Sequence, residues 1–387
     1  MGGAVKPSSV IVVGAGVMGL WAALRLRQAG HDVLLLDAWG VAHSRATSGD
    51  ENRVIRCGYG GSGLYARWAK RSLDLWEEAQ DRWGEQILHR TGVLWLVAGE
   101  EEYALRCLED LKGLRMRHLR LGPKELARAY PQIRPQGIRW AFLEPEAGLL
   151  LARRSCRLLA RELQEAGGRI EIAEITSPQQ DQRTSRASGI TTRAGKVHLA
   201  GSYVFACGPW LPTLFPDLLA RRIRVPRKEV FYFGTPADDD RFGHERMPVW
   251  MELGAGCYGV PAVAGKGFKV HPDLPSRSVD PTTLERRPSA RHLAAARACL
   301  ARRFPALRDA PVLESRVCQY EVTPDDHMVF DRHPRLENVW ILGGGSGHCF
   351  KHGPVIGEMA AEVVSAGRRE SIPPELRLDH RPQGRNF

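Results

Sequence analysis

The sequence predicts an α/β fold: a parallel sheet assembled from separated segments of the chain, with an antiparallel sheet formed by the segments between them. Three observations predict it. An apolar run, Val10-Ile11-Val12-Val13, leads straight into Gly14-Ala15-Gly16-Val17-Met18-Gly19, a G-x-G-x-x-G turn. A second strand, predicted over His31 to Leu36, ends in the acid Asp37. Some three hundred residues later a third, Val339-Trp340-Ile341-Leu342, opens onto Gly343-Gly344-Gly345-Ser346-Gly347-His348 and Lys351.

The first element is justified by steric and electrostatic demands. Four β-branched residues in succession suit a strand buried on both faces, as in a parallel sheet. Gly14 permits the tight turn, Gly16 lets the backbone approach a pyrophosphate, and Gly19 lets the following helix pack close to the strand. That helix, from about Gly16 to Gln28, stops before Gly30, a residue suited to a helix end. Its free N–H groups and the positive end of its dipole favour phosphate. Asp37 stands eighteen residues past Gly19, where an acid accepts hydrogen bonds from adenosine ribose hydroxyls. Together these predict a dinucleotide site without separating NAD from FAD.

The remaining elements follow along the chain. Residues 46–63, rich in Gly, Ser and Arg, read as a long functional loop feeding a helix over 64–83. Residues 92–97 read as a strand, and 101–117 and 123–130 as helices. A helix over 151–166 ends at Gly167-Gly168 and is followed by a strand over 169–172. Residues 178–188 are polar and turn-like, and Tyr203 to Gly208 is a buried strand ending in glycine. Residues 229–233 and 249–270 are β-rich, 288–303 is helical, and a last helix runs over 354–365. This order predicts a dinucleotide domain made of 1–88, 148–223 and 325–387, and a substrate domain made of 89–147 and 224–324.

Composition narrows the function classes. A chain of 387 residues with 43% hydrophobic content can bury more than one core. It carries no apolar run long enough to span a membrane and begins its first strand too early for a signal peptide. The formal charge of +11 invites a nucleic-acid reading. However, only nine of the 55 basic residues are lysines, and the arginines are scattered, so a solvated basic surface is expected and no nucleic-acid partner. Eight cysteines without a C-x-x-C pair fit reduced thiols in a cytoplasm and no metal site.

Several stretches resemble the monomeric sarcosine oxidase and N-methyltryptophan oxidase family of flavoenzymes. They are Gly14 to Asp37, Gly49-Asp50 through Arg53-Val54-Ile55-Arg56, Tyr258-Gly259-Val260-Pro261 through Lys269, Cys318 to His333, and Gly343 to Glu358. The resemblance implies a glutathione-reductase-like FAD-binding domain of discontinuous segments beside an antiparallel-sheet substrate domain. It implies FAD as cofactor, joined as a thioether through Cys318, with Arg53, Gly345 and Gly347 around it. Arg56 and Lys351 match two cations that clamp a substrate carboxylate, a guanidinium fork and an ammonium point charge. Lys269 matches a lysine that assists dioxygen reduction, with Lys266 as its competitor, and Tyr258 and Tyr320 would line the substrate cavity. Cys349 is expected only to pack.

Two departures from the family pattern bear on the substrate. Where the sarcosine-oxidising members carry a histidine before the loop arginine, Thr47 or Ser48 stands here, in a loop one residue longer. Where they carry a histidine four residues after the lysine, Asp273 stands here, and His271 is expected to lie outside the site. The expectation is a monomeric, cytoplasmic oxidase of a carboxylate-bearing secondary amine, an N-methyl or cyclic amino acid, giving an imine and hydrogen peroxide. The alternatives are a dehydrogenase with another electron acceptor and a non-catalytic flavoprotein assembly factor.

Overall fold

The strand Ser8–Val13 lies at the centre of a six-stranded sheet in a computed structural model that describes residues 8–176, 178–180 and 184–380. On one side of it run Val33–Asp37 and then Arg169–Ile172, and on the other Ala200–Phe205, Val339–Gly343 and Val329–Arg332. All neighbours are parallel except the last pair. Alternation explains the unbroken apolar run. Val10 and Val12, with Val33 and Leu35, face one core, while Ile11 and Val13, with Leu34 and Leu36, face another. Such side chains contribute roughly 1.5–3 kcal/mol each when fully buried, so neither face tolerates a polar substitution.

The helix Val17–Gln28 is buried on most of its surface because the sheet lies on one side of it and the helices Ala152–Glu165 and Gly353–Ala366 lie on the others. Close approach is what the glycines of the turn permit. Gly14 has φ +106°, and a Cβ there would lie 2.3 Å from the Ala206 carbonyl oxygen. A Cβ at Gly19 would lie 1.9 Å from the Gly14 carbonyl oxygen.

A second sheet has eight strands. Its order is Val312–Gln319, Arg227–Phe233, Phe268–Pro272, Cys257–Val260, Val249–Leu253, Val93–Val97, Trp140–Glu144 and Leu119–Leu121. One face packs Phe231, Phe233, Trp250, Phe268 and Val270 against the helix Ala290–Arg303. Because side chains alternate along a strand, Tyr232, Tyr258, Lys269 and His271 project from the other face. A small sheet, Asn52–Ile55 with Gly148–Leu151 and Leu88–His89, adds a third group of strands.

Several boundaries differ from the sequence expectation. Residues 52–55, read as loop, form a strand because they pair with the buried Gly148–Leu151 strand nearly a hundred residues on. The eight-stranded sheet contains one parallel pair, Val93–Val97 with Val249–Leu253; the long intervening chain supplies the crossover that a parallel pair needs. The helix expected over 101–117 ends at Gly113, and Leu119–Leu121 is a strand. Within the expected turn at 178–188, Gln179–Gln180 and Ala187–Thr191 pair as strands, and residues 181–183 lie outside the described residues. So do the two chain ends, 1–7 and 381–387, of the predicted segments. Among the described residues no helix is long and apolar enough to cross a membrane.

Candidate active site

A cavity of about 430 Å³ runs from the Gly14–Gly16 turn and Asp37 to Cys318, Tyr320, Gly345, Gly347 and Tyr258. It therefore joins the carboxyl ends of the parallel strands to the polar face of the eight-stranded sheet. At its first end the Asp37 carboxylate accepts hydrogen bonds from the Ala15 N–H at 2.7 Å and the Trp39 N–H at 2.8 Å. The Ser48 hydroxyl accepts from the Val17 N–H at 3.2 Å. Gly14 and Gly19 are needed by the protein's own packing, but Gly16 is different. A Cβ there would meet only the Ser48 hydroxyl, at 3.7 Å, and Gly16 lines the cavity. Packing against the protein thus leaves Gly16 unexplained, whereas backbone approach by a pyrophosphate explains it. Residues at this end fit the diphosphate and ribose of FAD.

At the other end the cavity wall is set by one buried carboxylate. Asp50 accepts hydrogen bonds from Lys269 Nζ at 2.5 Å, Arg53 Nη1 at 2.7 Å and the Tyr232 hydroxyl at 2.6 Å. Lys269 Nζ also donates to the Asn52 side-chain oxygen at 3.1 Å, and Arg53 Nη2 to the Thr47 carbonyl at 2.6 Å. Burial alone would raise the Asp50 pKa; Lys269 and Arg53 overcome it and hold the carboxyl far below the usual carboxylate range. Burial pulls Lys269 down, and Asp50 opposes that pull. In the sequence, Asp50 stands within the Gly49-Asp50 motif without a role of its own.

A smaller cavity of about 100 Å³ adjoins the first, sharing Arg53, Tyr258, Gly347 and Phe350 with it. Arg53, Arg56, Lys269 and Lys351 bring four cations to its walls, and Met251 and Val260 bring apolar surface. Arg56 donates to the Gly58 carbonyl and lies over the Tyr59 and Trp95 rings, 4.6 and 4.9 Å from their centroids. Lys351 Nζ donates to the Tyr59 hydroxyl at 2.8 Å and to the His348 carbonyl at 2.7 Å. These partners are carbonyls, a hydroxyl and rings, and among the described residues neither cation has a carboxylate within salt-bridge distance. Burial first, and Arg56 second, push the Lys351 pKa down to about 7.

The structure brings together Arg53, Arg56, Tyr258, Lys269, Gly347 and Lys351 on the smaller cavity, and Cys318, Tyr320 and Gly345 on the larger. Lys266 lines neither; it pairs with Glu314 at 3.3 Å. Two expectations are corrected. His271 is on the wall of the larger cavity, stacked on Tyr258 with ring centroids 4.9 Å apart, because it follows Lys269 by two residues on one strand. Burial lowers its pKa to about 3, so it is neutral at pH 7. Asp273, at the position of the expected family histidine, is instead half-exposed and accepts from Lys228 Nζ at 2.5 Å. Cys349, expected only to pack, also reaches the larger cavity. Tyr59 and His352 were missed altogether. The Tyr59 hydroxyl lies 2.6 Å from His352 Nε2, directly behind Lys351.

Comparison with known proteins identifies the family and the fold. The family model described as DAO, FAD dependent oxidoreductase, matches residues 9–363. The chain is 30% identical over 366 residues to a monomeric sarcosine oxidase from Bacillus sp. (strain NS-129), covering 93% of this chain and 94% of that protein. It is 27% identical over 365 residues to the N-methyl-L-tryptophan oxidase of Salmonella enteritidis PT4 (strain P125109), covering 92% and 94%. Among solved structures, the L-proline dehydrogenase from P. horikoshii shares its fold, with TM-score 0.82 at 21% identity over 94% of this chain and 95% of that one.

Replacing Asp50 with Asn leaves two buried cations, Lys269 and Arg53, without their anion. We expect Asp50→Asn to lose about 3–5 kcal/mol of stability at pH 7, read from urea denaturation. Because the folded-state pKa of Asp50 is depressed, its contribution is full above the unfolded value of about 3.9 and fades as pH falls below it. Wild type and variant should therefore converge in acid. Equal stability at pH 7 would remove Asp50 from its place at the hub.

Proposed function

The chain belongs to the DAO family of FAD dependent oxidoreductases, and from that premise we propose that it oxidises a carboxylate-bearing secondary amine. The substrate class is an N-methyl or cyclic amino acid, the electron acceptor is dioxygen, and the products are an imine and hydrogen peroxide. The observation that carries the reading is the pair Arg56 and Lys351, two cations on one small cavity that, among the described residues, have no carboxylate within salt-bridge distance. Two such charges repel and are costly to desolvate together. A carboxylate ligand relieves both costs. The names of the curated relatives, which act on sarcosine and N-methyl-L-tryptophan, support an amine of the same kind.

Bound FAD would supply the two-electron acceptor for the C–H bond beside the substrate nitrogen. The chain's own residues do the rest. Arg56 and Lys351 hold the carboxylate, each charged hydrogen bond contributing about 1.5–3 kcal/mol. Carboxylate binding favours the charged form of Lys351 and so draws a proton onto it. Tyr258 and Met251 shape the cavity, and Tyr320 bounds the larger one. Lys269, fixed by Asp50, supplies a positive charge where negative charge builds on oxygen. Asp37 and the glycine turn hold the diphosphate and ribose, and Gly345 and Gly347 let the backbone close over the ring system. Cys318 is the proposed point of thioether attachment; burial raises its thiol pKa, and Arg53, Lys269 and Arg286 favour the thiolate that attachment needs. The segments 1–88, 148–223 and 325–387 would form the FAD-binding domain, and 89–147 and 224–324 the substrate domain. A monomer in the cytoplasm completes the proposal.

Covalent attachment has a simple test. Acid-precipitated protein should stay yellow, and Cys318→Ala should release its FAD into the supernatant while Cys349→Ala should not. Release of all FAD from the wild type would remove the thioether.

The carboxylate clamp is tested by pH. Acetate or 2-furoate should bind and perturb the flavin spectrum, with affinity highest below pH 7, where Lys351 is charged. Affinity should fall as pH rises through 7, by at most about tenfold per unit. Lys351→Met should abolish that pH step and weaken binding by about 1.5–3 kcal/mol. A pH-independent affinity in the wild type, or no spectral change at all, would contradict the clamp.

A further inference from the structure

Behind the eight-stranded sheet, on the face away from both cavities, two cysteines from distant segments meet. Cys257 begins the strand Cys257–Val260, and Cys299 lies on the helix Ala290–Arg303. Their sulfurs are 2.7 Å apart. That is closer than two unbonded sulfurs pack, and about 0.65 Å beyond the ~2.05 Å length of a disulfide. Both residues are buried, Cys257 at 6% and Cys299 at 2% exposure, within the core that joins helix to sheet. The reduced pair is crowded, and the geometry already brings the two sulfurs together.

We propose that Cys257 and Cys299 form a peroxide-driven disulfide that ties the helix Ala290–Arg303 to the strand carrying Tyr258. The pair lies one side chain below the surface. Arg302 Nη2 donates to Cys257 Sγ at 3.4 Å and to Glu252 at 3.0 Å, and the Arg302 side chain is 42% exposed. Cys257 Sγ also donates to the Glu252 carboxylate at 3.6 Å. Cys257 is the less deeply buried of the two, at 6% against 2% exposure, so its sulfur is the one the oxidant meets first. Its sulfur attacks one oxygen of hydrogen peroxide, the O–O bond breaks, and water leaves with formation of a sulfenic acid. Cys299 sulfur then attacks that sulfur, the S–S bond forms, and the sulfenic oxygen leaves as a second water. The thiol pair loses two electrons and two protons, and the peroxide is reduced to two waters. The Cys299 contact and burial hold the Cys257 thiol protonated, so the bond forms slowly and only against a strong oxidant.

Glu252 completes a trio of possible metal ligands, its carboxylate and the two sulfurs lying within 4.8 Å of one another. Two arginines argue against a cation there. Arg302 and Arg303 both hold the Glu252 carboxylate, at 3.0 and 2.5 Å, and their charges repel a metal ion. Neither the disulfide nor its test depends on which amine the protein oxidises, so the proposal stands or falls apart from the functional reading.

The test is peptide mapping of the full FAD-loaded protein after exposure to hydrogen peroxide, with alkylation in denaturant and no reductant. Trypsin places the two cysteines in separate peptides, 247–266 and 298–302, with no other cysteine in either. The expected result is one linked species, two hydrogens lighter than the summed thiol peptides, and an unfolding temperature raised by several degrees that dithiothreitol reverses. In Cys299→Ser, which lacks the resolving sulfur, Cys257 should pass on to sulfinic acid. Recovery of both peptides singly alkylated after peroxide would overturn the proposal. So would stoichiometric zinc in the purified protein that peroxide does not displace.

Discussion

The Asp50 carboxylate is the interaction on which the site depends. It belongs to the loop between the parallel sheet and the small sheet, yet two of its partners, Tyr232 and Lys269, come from the eight-stranded sheet. Arg53 on the small sheet is its third. One buried anion therefore fixes the spacing of three groups of strands where the two cavities meet. A buried ion pair contributes little net stability when its desolvation is counted, but breaking it leaves charges that have nowhere to go. That asymmetry makes the geometry rigid without making it especially stable.

The cations of the site divide into two kinds as a consequence. Lys269 and Arg53 are neutralised by Asp50 and so are committed to the structure. Arg56 and Lys351 are held by a carbonyl, a hydroxyl and aromatic faces, which orient a charge without cancelling it. Charge that the protein does not neutralise is left for a ligand. Burial, with Arg56 beside it, is also what lowers Lys351 to about 7 and leaves its protonation responsive to whatever binds.

The sequence made the local features legible and the long-range ones not. The glycine turn, its helix and Asp37 are readable because strand, turn and helix are contiguous and each glycine answers a steric demand. The spacing from Tyr258 singles out Lys269 and leaves His271 aside, although strand alternation alone puts both on the same face. Asp50 could not be read as a hub, because its partners Tyr232 and Lys269 lie 182 and 219 residues away. The strand Asn52–Ile55 was hidden for the same reason, since the residues that order it follow only at Gly148–Leu151. The Cys257–Cys299 pair has no spacing motif at all and exists only through space.

The proposed reaction, oxidation of a carboxylate-bearing secondary amine in the cavity between Arg56 and Lys351, turns on the substrate's carboxylate. Anaerobic mixing of the FAD-loaded protein with N-methyl and cyclic amino acids, followed by flavin absorbance, tests it most directly. Bleaching by at least one such amino acid, and little or none by the same amine lacking its carboxylate, is the predicted result. Equal bleaching by the decarboxylated amine, or no bleaching by any member of the class, would contradict the account.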